Sequence, residues 1–124
     1  RRKFFMGCRM IDGIHLCDIA WFDENLRAPA WDAPEARTIC YQLYDTDTVT
    51  GEEDFMFIIL NAEPRRKLVQ LPDLPHRRKW CRVIDTAREA GDDLIPEGVP
   101  LPDPMEYLAA SRSIVVLMGC EPRR

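Results

Sequence analysis

Thr38-Ile39-Cys40-Tyr41-Gln42-Leu43-Tyr44, a polar stretch from Asp45 to Asp54 holding Gly51, then Phe55-Met56-Phe57-Ile58-Ile59-Leu60: this passage decides the fold. Ile39, Tyr41 and Leu43 recur at a period of two and share one face, the pattern of a half-buried strand. The polar stretch reads as a hairpin loop. Phe55 to Leu60 is apolar on both faces and too short for a typical helix, so it reads as a central strand.

Working outward, Leu68-Val69-Gln70-Leu71 is a short strand stopped by Pro72, and Trp80-Cys81-Arg82-Val83-Ile84-Asp85-Thr86 is another. Residues 87–106 carry Gly91, Gly98 and four prolines and read as a long crossing loop. Arg112 to Met118 closes the pattern as a second strand without a polar face. Short strands divided by turn signals, with no amphipathic helix to cover a parallel sheet, predict an antiparallel all-β domain over residues 36–124. Residues 1–35 are expected to be irregular. Gly7 and Gly13 punctuate turns there, Asp18 to Phe22 is a short apolar segment able to pair, and Asp32 followed by Pro34 marks the start of a brief helix.

A chain of 124 residues is one domain with one core, and 46% hydrophobic against 31% charged residues excludes a disordered chain. The net charge of −4 argues against a nucleic-acid partner. The same acidic balance suits a cytoplasmic setting, which is expected; no apolar run approaches the roughly 18 residues that span a bilayer, so no membrane partner is expected. The five cysteines, Cys8, Cys17, Cys40, Cys81 and Cys120, show no Cys-x-x-Cys spacing and read as small buried hydrophobes in a reducing compartment.

Several chemistries lack their motifs. There is no Gly-x-Gly-x-x-Gly, no phosphate-binding Gly-x-x-x-x-Gly-Lys and no Gly-x-Ser-x-Gly elbow, so no cofactor is expected. The two histidines, His15 and His76, lie far apart in sequence and read as solvent-facing, with no metal site. Asp45 to Gly51 imitates a calcium loop but puts Val49 where an oxygen ligand belongs. The basic triplets Arg1-Arg2-Lys3, Arg65-Arg66-Lys67 and Arg77-Arg78-Lys79 read as solvated loops. Among the tryptophans, Trp80 opens a strand and is the most core-like. Trp21 and Trp31, in the irregular N-terminal part, are candidates to face outward, where an indole can stack on a sugar ring.

The order of several short motifs says more. Phe4-Phe5, DIAWFDEN (Asp18–Asn25), Trp31 with Asp32 to Arg37, IILNA (Ile58–Ala62), LPDLP (Leu71–Pro75), WCRVIDTA (Trp80–Ala87) and SRSIVVL (Ser111–Leu117) together resemble the C-terminal region of isoamylase-type glycogen and starch debranching enzymes of the α-amylase superfamily. One departure is Asn61-Ala62-Glu63-Pro64-Arg65, where the family places an aromatic or histidine soon after the Asn-Ala pair. The resemblance implies a Greek-key β-sandwich (36–124) joined through residues 1–35, a junction, to a catalytic (β/α)8 barrel of the same parent chain. It implies that the parent hydrolyses α-1,6-glucosidic branch points with carboxylates of that barrel. The barrel's nucleophile motif is not found in these residues, so the resemblance assigns this chain no catalytic residue. It implies a non-catalytic accessory role, with Trp21, Phe22 and Trp31 as barrel-contact or glucan-stacking residues, the barrel as partner, and α-glucan as the alternative ligand. A plant origin would move the setting to the plastid.

Overall fold

The computed structural model describes residues 7–29, 37–47 and 49–121. Ten strands run through them: β1 (Cys8–Ile11), β2 (Ile14–Cys17), β3 (Ile19–Phe22), β4 (Thr38–Thr46), β5 (Glu53–Asn61), β6 (Lys67–Gln70), β7 (Lys79–Asp85), β8 (Leu94–Pro100), β9 (Glu106–Ala109) and β10 (Ser113–Cys120). No helix occurs among the described residues, so none is long and apolar enough to cross a membrane. The helix start expected at Asp32 lies outside the described residues.

Six strands form one antiparallel sheet in the order β3-β4-β5-β10-β7-β8. The closing strand β10 returns from β9 to insert between β5 and β7, the kind of crossover a Greek-key path makes. Strands β6 and β9 leave that sheet to pair with each other, and β1 and β2 form a separate hairpin. Phe57, Ile59, Trp80, Val115 and Leu117 from the large sheet join Val69, Tyr107 and Ala109 from β6–β9 and Leu16 from β2 in one buried cluster. The all-β antiparallel sandwich expected from the period-two pattern is thus the observed architecture.

Three readings need correction. Residues 8–17, expected to be irregular, hold two short strands, while the apolar segment from Asp18 to Phe22 does pair, as β3 against β4. The cause is visible in Ile11-Asp12-Gly13-Ile14, where Asp12 and Gly13 both have positive φ (53° and 76°) and close a two-residue hairpin. Asp-Gly is a strong signal for that turn. The loop expected over 87–106 contains β8 despite Pro96, Gly98 and Pro100. A proline is tolerated there because β8 is the outermost strand, with an unpaired edge. Gly98 is required, because a Cβ at this position would meet the Cys81 Cβ at 3.0 Å. Third, Cys8 and Cys17 are not buried thiols. They face each other across the β1–β2 register and form a disulfide. Cys40 and Cys81 are buried and free, and Cys120 is half-buried and free, as expected of small hydrophobes.

Candidate functional site

The two faces of the six-stranded sheet differ in what they carry. In β4 the inward set is Thr38, Cys40, Gln42 and Tyr44, all buried. Ile39, Tyr41 and Leu43 do share a face, but it is the outer, half-exposed one. Register extends this face across the sheet. One row runs Trp21–Tyr41–Ile58–Val116–Ile84, flanked by Ile39–Leu60–Ile114 and by Ile19–Leu43–Met56–Met118. Every member of these rows is apolar or aromatic. Ile58 is buried at the centre, while Ile19, Trp21 and Ile114 are 41%, 42% and 46% exposed. The second layer, β6–β9 with the β1–β2 hairpin, packs on the opposite face. An apolar sheet face left open to this extent marks an interaction surface.

Of the residues expected at a site, Trp21 lies on this face, with its ring 4.9 Å from that of Tyr41, its cross-strand neighbour. Phe22, one residue on, points the other way, as strand alternation requires. It packs on the domain's own core, 6.3 Å from Phe57. Trp31 lies outside the described residues. Trp80 is core, 2% exposed, and its indole N–H donates to the Pro72 carbonyl at 2.8 Å. The apolar rows of β5 and β10 were not singled out as a site from sequence, because a strand apolar on both faces looks the same whether one face or both are covered by the chain itself.

The ordered motifs prove to be hydrogen-bond staples. Asn61 is 2% exposed and makes four bonds: its Oδ1 accepts from Thr38 Oγ1 (3.1 Å) and Glu63 N (3.1 Å), and its Nδ2 donates to the carbonyls of Arg65 (3.0 Å) and Ala110 (2.9 Å). Asp85, buried, accepts from the Tyr107 hydroxyl and the Ala87 amide, which ties β7 to β9. Thr86 exchanges bonds with Ile114, its amide donating to the Ile114 carbonyl and its Oγ1 accepting from the Ile114 amide. Arg82 donates to the Asp92 carbonyl at 2.8 Å. Buried polar groups need such partners, and Asn61, Arg82 and Asp85 find them within the fold.

The remaining chemistry is quiet. Burial pushes the Cys40 and Cys120 thiols up to about 12, for Cys120 with help from a hydrogen bond to Cys81, so neither is an activated nucleophile. At the hairpin tip Asp47 accepts from the amides of Val49 and Thr50, which lowers its pKa and turns the carboxylate onto its own backbone. The basic triplets partly serve the fold: Arg78 lies over the Phe55 ring and pairs with Glu121 at 2.8 Å, and Lys67 pairs with Glu63 at 2.8 Å. His76 sits between Asp12 (3.3 Å) and Glu53 (3.0 Å). His15, by contrast, comes together with Cys8 and Cys17, their ligand atoms all within 4.8 Å of one another.

No family model matches the chain. Among curated proteins it is similar to chloroplastic isoamylase 3 of Oryza sativa subsp. japonica, 27% identical over 99 residues that cover 80% of this chain and 12% of that protein. Its relatives are isoamylases. It is also similar to chloroplastic isoamylase 2 of the same plant and of Arabidopsis thaliana, each 28% identical over 80 residues, covering 60% and 56% of this chain. This bears out the isoamylase-type resemblance read from the ordered motifs. The chain spans about a tenth of the length of the relatives it matches.

Proposed function

We propose that the chain is a non-catalytic accessory β-sandwich of a starch or glycogen debranching enzyme, and that it stabilises the catalytic barrel of the same parent chain. The observation that carries this is the outer sheet face, three apolar rows wide with Trp21 at its edge, in a chain matching only a tenth of its isoamylase relatives. The rest of such an enzyme is the natural occupant of that face. Burying apolar surface there contributes about 25 cal/mol per Å². The buried carboxylate Asp85 and the buried amide Asn61 are occupied in holding strands together, which fits a role without bond breaking.

A test places charge on the face. In the parent enzyme, Ile114→Lys together with Trp21→Lys is expected to lower the thermal midpoint by more than the same pair lowers that of the isolated chain. A parent whose midpoint falls no further than that of the chain would remove the proposal. Purified chain is expected to release no linear maltooligosaccharide from glycogen, and release would overturn the non-catalytic reading.

The Trp21–Tyr41 ring pair supports a second reading, an α-glucan platform on the same face. Sugar C–H faces stack on such rings. Titrating the chain with maltoheptaose to millimolar concentration decides it. A saturable tryptophan signal lost in Trp21→Ala favours the platform, and a flat trace eliminates it.

A further inference from the structure

The β1–β2 hairpin is the one part of the described chain whose outward side chains are all potential soft ligands. Strand alternation sorts its residues. Leu16, Ile11 and Ile14 turn inward, Leu16 being fully buried and the two isoleucines packed on the core. The other face holds two cross-strand pairs, Cys8 with Cys17 and Met10 with His15. Two sulfurs able to become thiolates, an imidazole and a thioether thus share one exposed surface. Met10 is 62% exposed, and His15 and Cys8 are exposed as well.

We propose that this face, once its disulfide is reduced, binds one thiophilic metal ion through the thiolates of Cys8 and Cys17 and the imidazole of His15. Zinc bound to sulfur at about 2.3 Å and to nitrogen at about 2.0–2.1 Å places the ligand atoms of one tetrahedral centre roughly 3.6–3.8 Å apart. The three ligand atoms already lie within 4.8 Å of one another. Once the bond between them is broken, rotation about the cysteine χ1 bonds lets the sulfurs separate towards that spacing. The fourth position falls on the solvent side, beside Met10.

Contacts besides the disulfide also hold the hairpin. Its turn is set by Asp12-Gly13, Asp12 accepts a hydrogen bond from the His76 amide at 2.8 Å, and the Asp18 amide donates to the Gly7 carbonyl at 3.1 Å where the strands end. Leu16 anchors the inner face. The ligands are therefore organised before the metal arrives, which lowers the ordering cost of binding.

The two states exclude each other. A dithiol reductant transfers two electrons and two protons to the Cys8–Cys17 bond, which breaks to give two thiols while the reductant closes its own disulfide. A divalent cation then displaces both thiol protons into solvent as the two metal–sulfur bonds form. A disulfide oxidant runs the sequence backwards: it takes up two electrons and two protons to become two thiols while the Cys8–Cys17 bond re-forms and the ion is released.

The test is a zinc titration of the chain against a chromophoric chelator. Fully reduced, reductant-exchanged chain is expected to bind one zinc ion at least about 10-fold more tightly than oxidised chain, which needs no mutation as a control, and His15→Ala is expected to weaken the reduced site by on the order of 10-fold or more. The double variant Cys8→Ser/Cys17→Ser keeps Cys40, Cys81 and Cys120 and is expected to behave like the oxidised chain. Its fold is checked by circular dichroism. If the reduced chain binds no more tightly than the oxidised one, or no more tightly than the folded double variant, the site is elsewhere and the proposal fails. Unchanged affinity in His15→Ala would overturn the three-ligand assignment.

Discussion

The inner and outer faces of the six-stranded sheet are built from the same kinds of residue, yet they end in different states. Along β5, Phe55, Phe57 and Ile59 face inward and are sealed, while Met56 and Leu60 face outward and remain half-exposed. The inner face finds its cover within the chain, in Val69, Tyr107, Ala109 and Leu16. The outer face has rows just as apolar, but among the described residues it stays half-exposed. An apolar strand face therefore reports that something will cover it, without reporting whether the covering element belongs to the same domain.

The sharpest way to break this comparison is to truncate one aromatic on each side. Phe57 is fully buried between Phe22 and Trp80, and Phe57→Ala is expected to cost the isolated chain about 3–5 kcal/mol. Trp21, 42% exposed, gives up partial burial and its contact with Tyr41, so Trp21→Ala is expected to cost clearly less, about 1 kcal/mol. Urea unfolding of both variants checks this. Equal losses would mean that the outer face is as sealed as the inner one, and the interaction surface would have to be abandoned.

Alkaline pH gives a smaller effect that also separates the two sides. The Tyr107 phenol is pushed up to about 12, first by burial and then by its hydrogen bond to Asp85. Tyr44, on the inner face, rises to about 12 through burial and its bond to Glu53. Both groups ionise near 10 when unfolded, so the fold favours their neutral forms. Their stabilisation is fully present below about pH 10 and is lost as pH rises through 10 towards 12. Urea midpoints measured from pH 8 to 11.5 are expected to fall over that window. Tyr107→Phe is expected to cost about 1–2 kcal/mol at pH 8 through the lost bond to Asp85, and to flatten the fall. A fall as steep as that of the wild type would show that Tyr107 adds nothing to the loss carried by Tyr44, Cys40 and Cys120.

Much of the sandwich was legible because the signals were local. Period two in Thr38 to Tyr44, two-sided apolarity in Phe55 to Leu60 and in β10, and Trp80 at the head of β7 all act through immediate neighbours. The ordered motifs were legible as a family pattern, but their purpose was not. Asn61 is held by Thr38, Glu63, Arg65 and Ala110, partners up to 49 residues away, and no local pattern announces such a cluster. The Cys8–Cys17 bridge was missed for a related reason. Cysteine spacing alone does not show a cross-strand pair, although Asp12-Gly13 midway between the two cysteines carries the hairpin that makes one. Trp21 was legible as outward-facing, whereas Phe22 shared its apolar character and needed the register of β3 to be sent inward.

Gln42 is the residue that hid the orientation of β4. An amide between Tyr41 and Leu43 makes Ile39, Tyr41 and Leu43 look like the core set, yet Gln42 is buried with Cys40 and Tyr44 on the inner face. Its amide nitrogen Nε2 finds no hydrogen-bond partner among the described residues. An unsatisfied buried donor costs more than the same volume of apolar atoms, so Gln42→Met, close in size and free of that donor, is expected to stabilise the chain by about 1 kcal/mol. For a domain of this size that raises the thermal midpoint by roughly 3–5 °C. The same polar-to-apolar argument has no counterpart at Leu43, whose side chain already faces outward among apolar neighbours. A lower midpoint for Gln42→Met would show that the amide is paired after all, and would make the inner face a polar-tolerant surface like any other. A higher one would confirm that the chain accepts a buried polar group at β4 without repayment inside this domain.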